Sequence, residues 1–147
     1  MAFLANLSAH IIFPWSCWER RCFGFNGGSA FAADGVAGLA WLNTTVSAAA
    51  AMLGWLAVER IRDGHATSLG AASGLVAGLV SITPAAGDLT PMTAIVLGSM
   101  GGIIGSFAVG LKYRCGFDDS IDVVGVHLVA GLWGTVGVGL LPTTKAC

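Results

Sequence analysis

Apolar and polar positions in this chain are grouped on the scale of whole helices. From Val36 to Val58 the run is apolar, broken by Asn43, Thr44, Thr45 and Ser47, with Trp41 and Trp55 near its two ends. That length covers the roughly 20 residues needed to cross a hydrocarbon layer of about 30 Å, and the tryptophans stand where an interfacial belt would hold them. A charged turn, Glu59 to His65, separates it from a second run over 68–84. Met92 to Lys112 forms a third run, and Asp122 to about Leu141 a fourth. Phe23-Gly-Phe-Asn-Gly-Gly-Ser-Ala30 is too short to cross and reads as a half-span. The pattern predicts an all-α, multi-span transmembrane helical bundle, about four full spans plus one half-span.

The punctuation agrees with these bounds. Gly64 is a stop for the first span. Thr83-Pro84 ends the second, because proline disfavours the helical region for the residue before it. A loop over 85–91 carries Asp88, and Asp118-Asp119-Ser120 offers N-cap chemistry to the last helix. Glycines recur every fourth position at Gly70, Gly74 and Gly78, laying bare backbone along one face where another helix can approach closely. Gly98 with Gly102, and Gly101 with Gly105, repeat the motif in the third span.

Residues 1–22 do not fit. Pro14-Trp-Ser-Cys-Trp-Glu-Arg-Arg-Cys22 sets three charges and a proline where an apolar run is expected, as a shifted reading frame would leave it. The expected organisation is an atypical segment 1–22, a helical domain 23–141 and a short tail 142–147. The first residues lack the charged start and cleavage site of a secretory signal.

Composition supports the membrane. Hydrophobic residues make up 55% of the 147 and charged residues 10%, whereas a soluble domain carries about 25% charge. Mean hydropathy is +0.79. A net charge of -1 supplies no basic field, so no nucleic-acid partner is expected. Cys17, Cys22, Cys115 and Cys147 form no CxxC pair and have no histidine at zinc-ligand spacing, so neither a metal nor any other cofactor is expected. Arg60, Arg62, Lys112 and Arg114 fall in the 59–66 and 112–119 loops, while the loops around Asp34 and Asp88 have no basic residue. The positive-inside rule places the basic loops in the cytoplasm.

The last span holds the one feature that asks for a function. On an ideal helix, His127, Gly131, Gly134 and Val138 share a face. A histidine there can be bonded to a backbone carbonyl or to a neighbouring helix. In lipid, however, ionisable side chains are rare and mark ion or substrate paths. Asn43 reads as interhelical glue, and the carboxylates fall at helix ends, where solvated caps are ordinary. No phosphate-binding loop, nucleophile elbow or His-Glu-x-x-His motif occurs, and no carboxylate or serine shares the face of His127, so an enzyme is not expected. A path lined by imidazole, hydroxyls and amides suits a small polar solute better than a permanently hydrated ion.

Several motifs in order carry a resemblance: Phe23-Gly-Phe-Asn-Gly-Gly-Ser29, Ala32-Ala-Asp-Gly35, Asn43-Thr44-Thr45, Gly54-Trp55, Ser68 to Val80, Ile82-Thr-Pro-Ala85 and Asp122-Val-Val-Gly-Val-His127. Together they closely resemble the ammonium transporter family (Amt/Mep/Rh) from about Phe23 to about Leu141. The resemblance implies a homotrimer in the cell (plasma) membrane, each subunit with its own pore between two inverted five-helix halves. This chain would supply a partial sixth helix and the seventh to tenth. By the resemblance His127 is the second of two paired pore histidines, Phe25 one of two stacked gate phenylalanines, and Ser29 a hydroxyl at the outer ammonium-recruiting site. The partners implied are ammonium or ammonia, the lipid bilayer and further copies of the subunit. The first pore histidine, the other gate phenylalanine and the opposing wall belong to a half that this sequence does not contain, so the expectation is a truncated transporter subunit. The alternative is an inert or regulatory fragment that packs on a complete subunit through Gly70, Gly74 and Gly78. The helix-packing residues expected are those three with Gly131 and Gly134.

Overall fold

The computed structural model describes residues 21–115 and 122–141. Residues 1–20 of the expected atypical segment 1–22, the expected capping residues Asp118 to Ser120 and the tail 142–147 therefore lie outside the described residues. The described residues are helical. A first helix, α1, covers 21–28 and is followed by turns to Asp34. Then come α2 (Gly35–Asp63), α3 (Ser68–Ile82), a 3-10 turn (Thr83–Ala85), α4 (Pro91–Cys115), a π-helical segment (Val124–Val129) and α5 (Ala130–Leu140). Three helices are long and apolar enough to cross a membrane, and the fourth apolar stretch, Val124–Leu140, is shorter.

Each helix starts and stops for a local reason. Asp34 caps α2, its Oδ1 accepting the backbone N–H groups of Val36 at 3.0 Å and Ala37 at 3.1 Å. At the other end Gly64 takes φ 80°, a left-handed conformation that a glycine adopts without strain, and its N–H bonds to the Arg60 carbonyl. Thr67 caps α3 by accepting the Gly70 N–H at 2.9 Å. Its own N–H and hydroxyl donate to the Glu59 carboxylate at 2.9 and 2.8 Å, so one buried carboxylate joins the end of α2 to the start of α3. Thr67→Val is expected to lower stability by about 1–2 kcal/mol, through the lost cap and a weakened carboxylate. A thermal midpoint in detergent unchanged from the parent's would refute it, and Thr67→Ser should keep the parent's value.

The packing is that of a membrane protein. Many buried positions are small or hydroxylated, among them Ala40, Ser47, Ala48, Ala51, Ala77 and Ser81, and they lie beside a few large ones, Leu79, Ile82, Leu89 and Leu97. Leu53, Leu69, Phe107, Leu132 and Val136 face outward. Because lipid is as apolar as leucine, burial of the large side chains gives little drive, and close contact with interhelical hydrogen bonds holds the helices together. Along α3, a Cβ on Gly74 would lie 2.6 Å from the Trp55 Cβ, and one on Gly78 would lie 2.6 Å from the Ala51 Cβ. On Gly70 it would meet the Glu59 carboxylate. The Gly70, Gly74 and Gly78 face is thus occupied by α2 of the same chain. That corrects the alternative in which it docks on another subunit, because a face filled from within offers no groove. Helices α2 and α4 run side by side, with Gly98 against Ser47 and Gly102 against the Ala51 backbone. Trp55, expected in an interfacial belt, is instead 5% exposed, its ring lodged over Gly105. Trp41 remains exposed and packs on Phe23 with centroids 4.8 Å apart.

Candidate functional site: two clefts joined at one turn

At the end of the bundle where α2 begins and α3 stops, a cleft of about 360 Å³ opens among Asn26, Ser29, Asp34, Thr83, Pro84 and Asp88, with Gly87 and small residues completing it. Its polar side chains come from three separate places in the chain. Ser29 sits in the turn after α1, its hydroxyl donating to the Phe25 carbonyl at 2.7 Å. Asp34 is the α2 cap already described. Thr83 and Pro84 belong to the 3-10 turn, which forms because the proline blocks continuation of α3 and the Thr83 hydroxyl returns to the Leu79 carbonyl at 2.7 Å.

A second, more open groove of about 480 Å³ continues on the far side of the same turn. It is lined by Val80, Thr83, Pro84, His127, Leu128, Gly131, Leu132 and Thr135. Thr83 and Pro84 line both. The surroundings change from carboxylates and amides in the first cleft to aliphatic side chains around one imidazole and two hydroxyls in the second.

The backbone at His127 is not an α-helix. Val124–Val129 is π-helical, a wider turn that is rare and often found at functional positions. Asp122, just before it, has φ 54° and forms an ion pair with Lys112 at the end of α4. Gly125 is pressed on Val109, where a Cβ would lie 2.7 Å from a methyl group. The π turn and its α5 continuation set His127, Gly131 and Thr135 along the groove. Gly134 turns away into α3, where a Cβ would overlap the Ser81 carbonyl. The single stripe expected of an ideal helix is therefore split, because the π turn carries extra backbone and offsets the residues after it. Two further bonds hold this wall: the Ser81 hydroxyl to the Ala130 carbonyl at 3.2 Å, and the Trp133 indole N–H to the Leu97 carbonyl at 3.0 Å.

Of the residues singled out in the sequence, Ser29 lines the first cleft and His127 the second, while Phe25 is 66% exposed and lines neither. The structure brings Ser29 and His127 to the two sides of one turn without placing them in a common cavity. Sequence reasoning assigns Asp34 and Asp88 to ordinary helix ends and does not single out Asn26. The carboxylates are at helix ends, and the first cleft is where those ends converge. Among the described residues no cluster of metal-ligating side chains occurs.

The comparisons agree with this architecture. The model of the Ammonium Transporter Family matches residues 13–147. An ammonium transporter of Mycobacterium tuberculosis H37Rv is 56% identical over 132 residues, which are 90% of this chain and 27% of that protein. One from Bacillus subtilis is 47% identical over 132 residues, 89% of this chain and 32% of that one. The crystal structure of Candida albicans Mep2 superposes with a TM-score of 0.87 at 35% identity, covering 92% of this chain and 30% of that one. Saccharomyces cerevisiae Mep2 gives 0.85 at 34%, covering 90% and 31%. The chain thus spans under a third of the length of these relatives. With nearly all of its residues matched by the family model and its helices superposing on solved members, the chain belongs to the ammonium transporter family.

Proposed function

We propose that this chain forms one wall of a path that carries ammonium or ammonia through the plasma membrane, within a homo-oligomer that family resemblance makes a trimer. The observation that carries this reading is the shared turn: Thr83 and Pro84 line both the acidic cleft and the His127 groove. A cation would first meet Ser29, Asp34 and Asp88, which can replace part of its hydration with hydrogen bonds and opposite charge. Further along, Thr83, Thr135 and His127 offer hydrogen bonds in an otherwise aliphatic groove, where a neutral amine is less costly to hold than a cation. Phe25, which lines neither cleft within this chain, would contribute its ring face to cation attraction against a second aromatic side chain on a facing wall, as the family resemblance implies.

Charge supports an orientation with the 59–66 and 112–119 segments in the cytoplasm. Arg60, Arg62 and Lys112 lie at one end of the bundle, and Asp34 and Asp88 at the other. In this reading 23–141 is the family domain in part, 1–22 an atypical segment and 142–147 a tail. The family is one of transporters, and the chain's activity is read as transport rather than catalysis.

The test labels the first cleft directly. A Ser29→Cys variant in sealed vesicles is expected to react with a membrane-impermeant cationic thiosulfonate from the side bearing Asp34 and Asp88, and ammonium should slow that reaction severalfold. Modification at the same rate with and without ammonium would remove Ser29 from the path.

A further inference from the structure

The first cleft has two walls, and neither is continuous with the helix that separates them. One is the α1 end with its turn, presenting Asn26 and Ser29. The other is the turn after α3, presenting Thr83 to Asp88. Both are fastened to adjacent residues of α2. The Asn43 amide, fully buried, donates through Nδ2 to the Ala86 carbonyl at 2.9 Å and the Leu89 carbonyl at 2.7 Å. The neighbouring Thr44 hydroxyl, also fully buried, accepts from the Asn26 amide at 3.0 Å and donates to the Ala40 carbonyl at 2.6 Å. Neither Asn43 nor Thr44 lines the cleft.

We infer that Asn43 and Thr44 are positioning residues which together set the width of the cleft, one hydrogen-bonding each wall to α2. This rests on the reading of that cleft as the recruiting end of the path. Two observations favour spacing over mere adhesion. First, a single amide group donates to both turn carbonyls, so one side chain fixes the turn against α2 at two points. Second, the bonds run to segments far from 43 and 44 in the chain. The α1 end is tied by the Asn26 to Thr44 bond across 18 residues, and the turn carbonyls lie 43 and 46 residues from Asn43. Glue between two long helices would sit on their shared face, whereas these bonds reach the ends and turns where the cleft opens.

The chemistry explains why adjacency matters. Successive helical residues are offset by about 100°, so side chains at 43 and 44 leave α2 in different directions and can reach different walls from one helical turn. A cleft that selects a small ion by partial dehydration needs a fixed width, since loss of about 1 kcal/mol from one positioning bond changes occupancy about fivefold.

The test uses the whole chain in lipid vesicles, with spin labels at Gly28→Cys on the first wall and Gly87→Cys on the second. A Cβ at Gly28 meets nothing within 4 Å, and one at Gly87 meets only the Val36 Cγ1, at 3.2 Å. Thr44→Val and Asn43→Ala should each broaden and lengthen the label distance, the double variant should exceed either, and Thr44→Ser should match the parent. The same substitutions, placed on the Ser29→Cys background, should weaken ammonium protection about fivefold, with Thr44→Ser again retaining it. Should Thr44→Val fail to insert, Asn26→Ala breaks the same bond from the peripheral side. Parental distance distributions in Thr44→Val and Asn43→Ala would overturn the inference. Absence of ammonium protection in the Ser29→Cys parent would instead remove Ser29 from the path and overturn the recruiting role of this cleft, while the distances would still decide the positioning role.

Discussion

A His127→Ala substitution is expected to lower methylammonium uptake by about tenfold. The measurement uses a chimera in which this chain replaces the matching 132 residues of the Mycobacterium tuberculosis ammonium transporter. The reasoning is local. His127 stands in a groove whose other contributors are mostly aliphatic, with Thr83 and Thr135 supplying the hydroxyls. A polar solute that has left water has few substitutes for the hydrogen bonds it gave up. Loss of one bond in such surroundings raises a barrier by about 1.4 kcal/mol, which is a factor of ten in rate. His127→Gln keeps both a donor and an acceptor at similar reach and should lose less. An alanine variant with parental uptake would separate the imidazole from transport altogether, leaving the groove as a lipid-facing surface.

The second large effect concerns the seam between α2 and α4. Gly102→Val is expected to lower stability by at least about 3 kcal/mol, or to prevent assembly of the bundle, because a Cβ there would overlap the carbonyl, carbonyl carbon and Cα of Ala51. No rotamer relieves a clash with backbone, so the helices themselves must part. When they do, Gly98 leaves Ser47 and the Gly54 contact with the Ser99 carbonyl is also lost. Gly38→Ala on α2 is the control: its Cβ would meet nothing within 4 Å, so the change should be neutral or stabilising by up to about 1 kcal/mol. Equal thermal midpoints for the two variants in detergent would mean that α2 and α4 do not pack as described.

These cases show how far a linear sequence carries. The spans of α2 and α4 are legible because lipid demands long apolar runs, and Gly64, Thr83-Pro84 and Asp34 mark helix ends by conformational rules that act within a few residues. The glycine periodicity at 70, 74 and 78 announces a close helix contact without naming its partner. Trp55 misleads for the same reason: a tryptophan near a span's end belongs to the interface by default, and only a neighbouring glycine face, here Gly74 and Gly105, makes room for it inside. Asn43 reads as glue between helices. Its actual targets, the carbonyls of Ala86 and Leu89, are more than 40 residues away in a turn.

The sequence by itself determined that the chain is a bundle of apolar membrane helices, since hydropathy and helix punctuation are set by local composition and by the solvent the segment can tolerate. It also determined the family, because several short motifs in fixed order are a one-dimensional property. Only the tertiary structure decided that Ser29, Asp34 and Asp88 converge on one cleft, that Thr83 and Pro84 join it to the His127 groove, and that a π turn parts Gly134 from His127. Those relations depend on how helix ends far apart in the chain come together, which is fixed by contacts such as Gly102 on Ala51 and Asn26 on Thr44. No local rule encodes them, because each partner's preference is satisfied only once the other is in place.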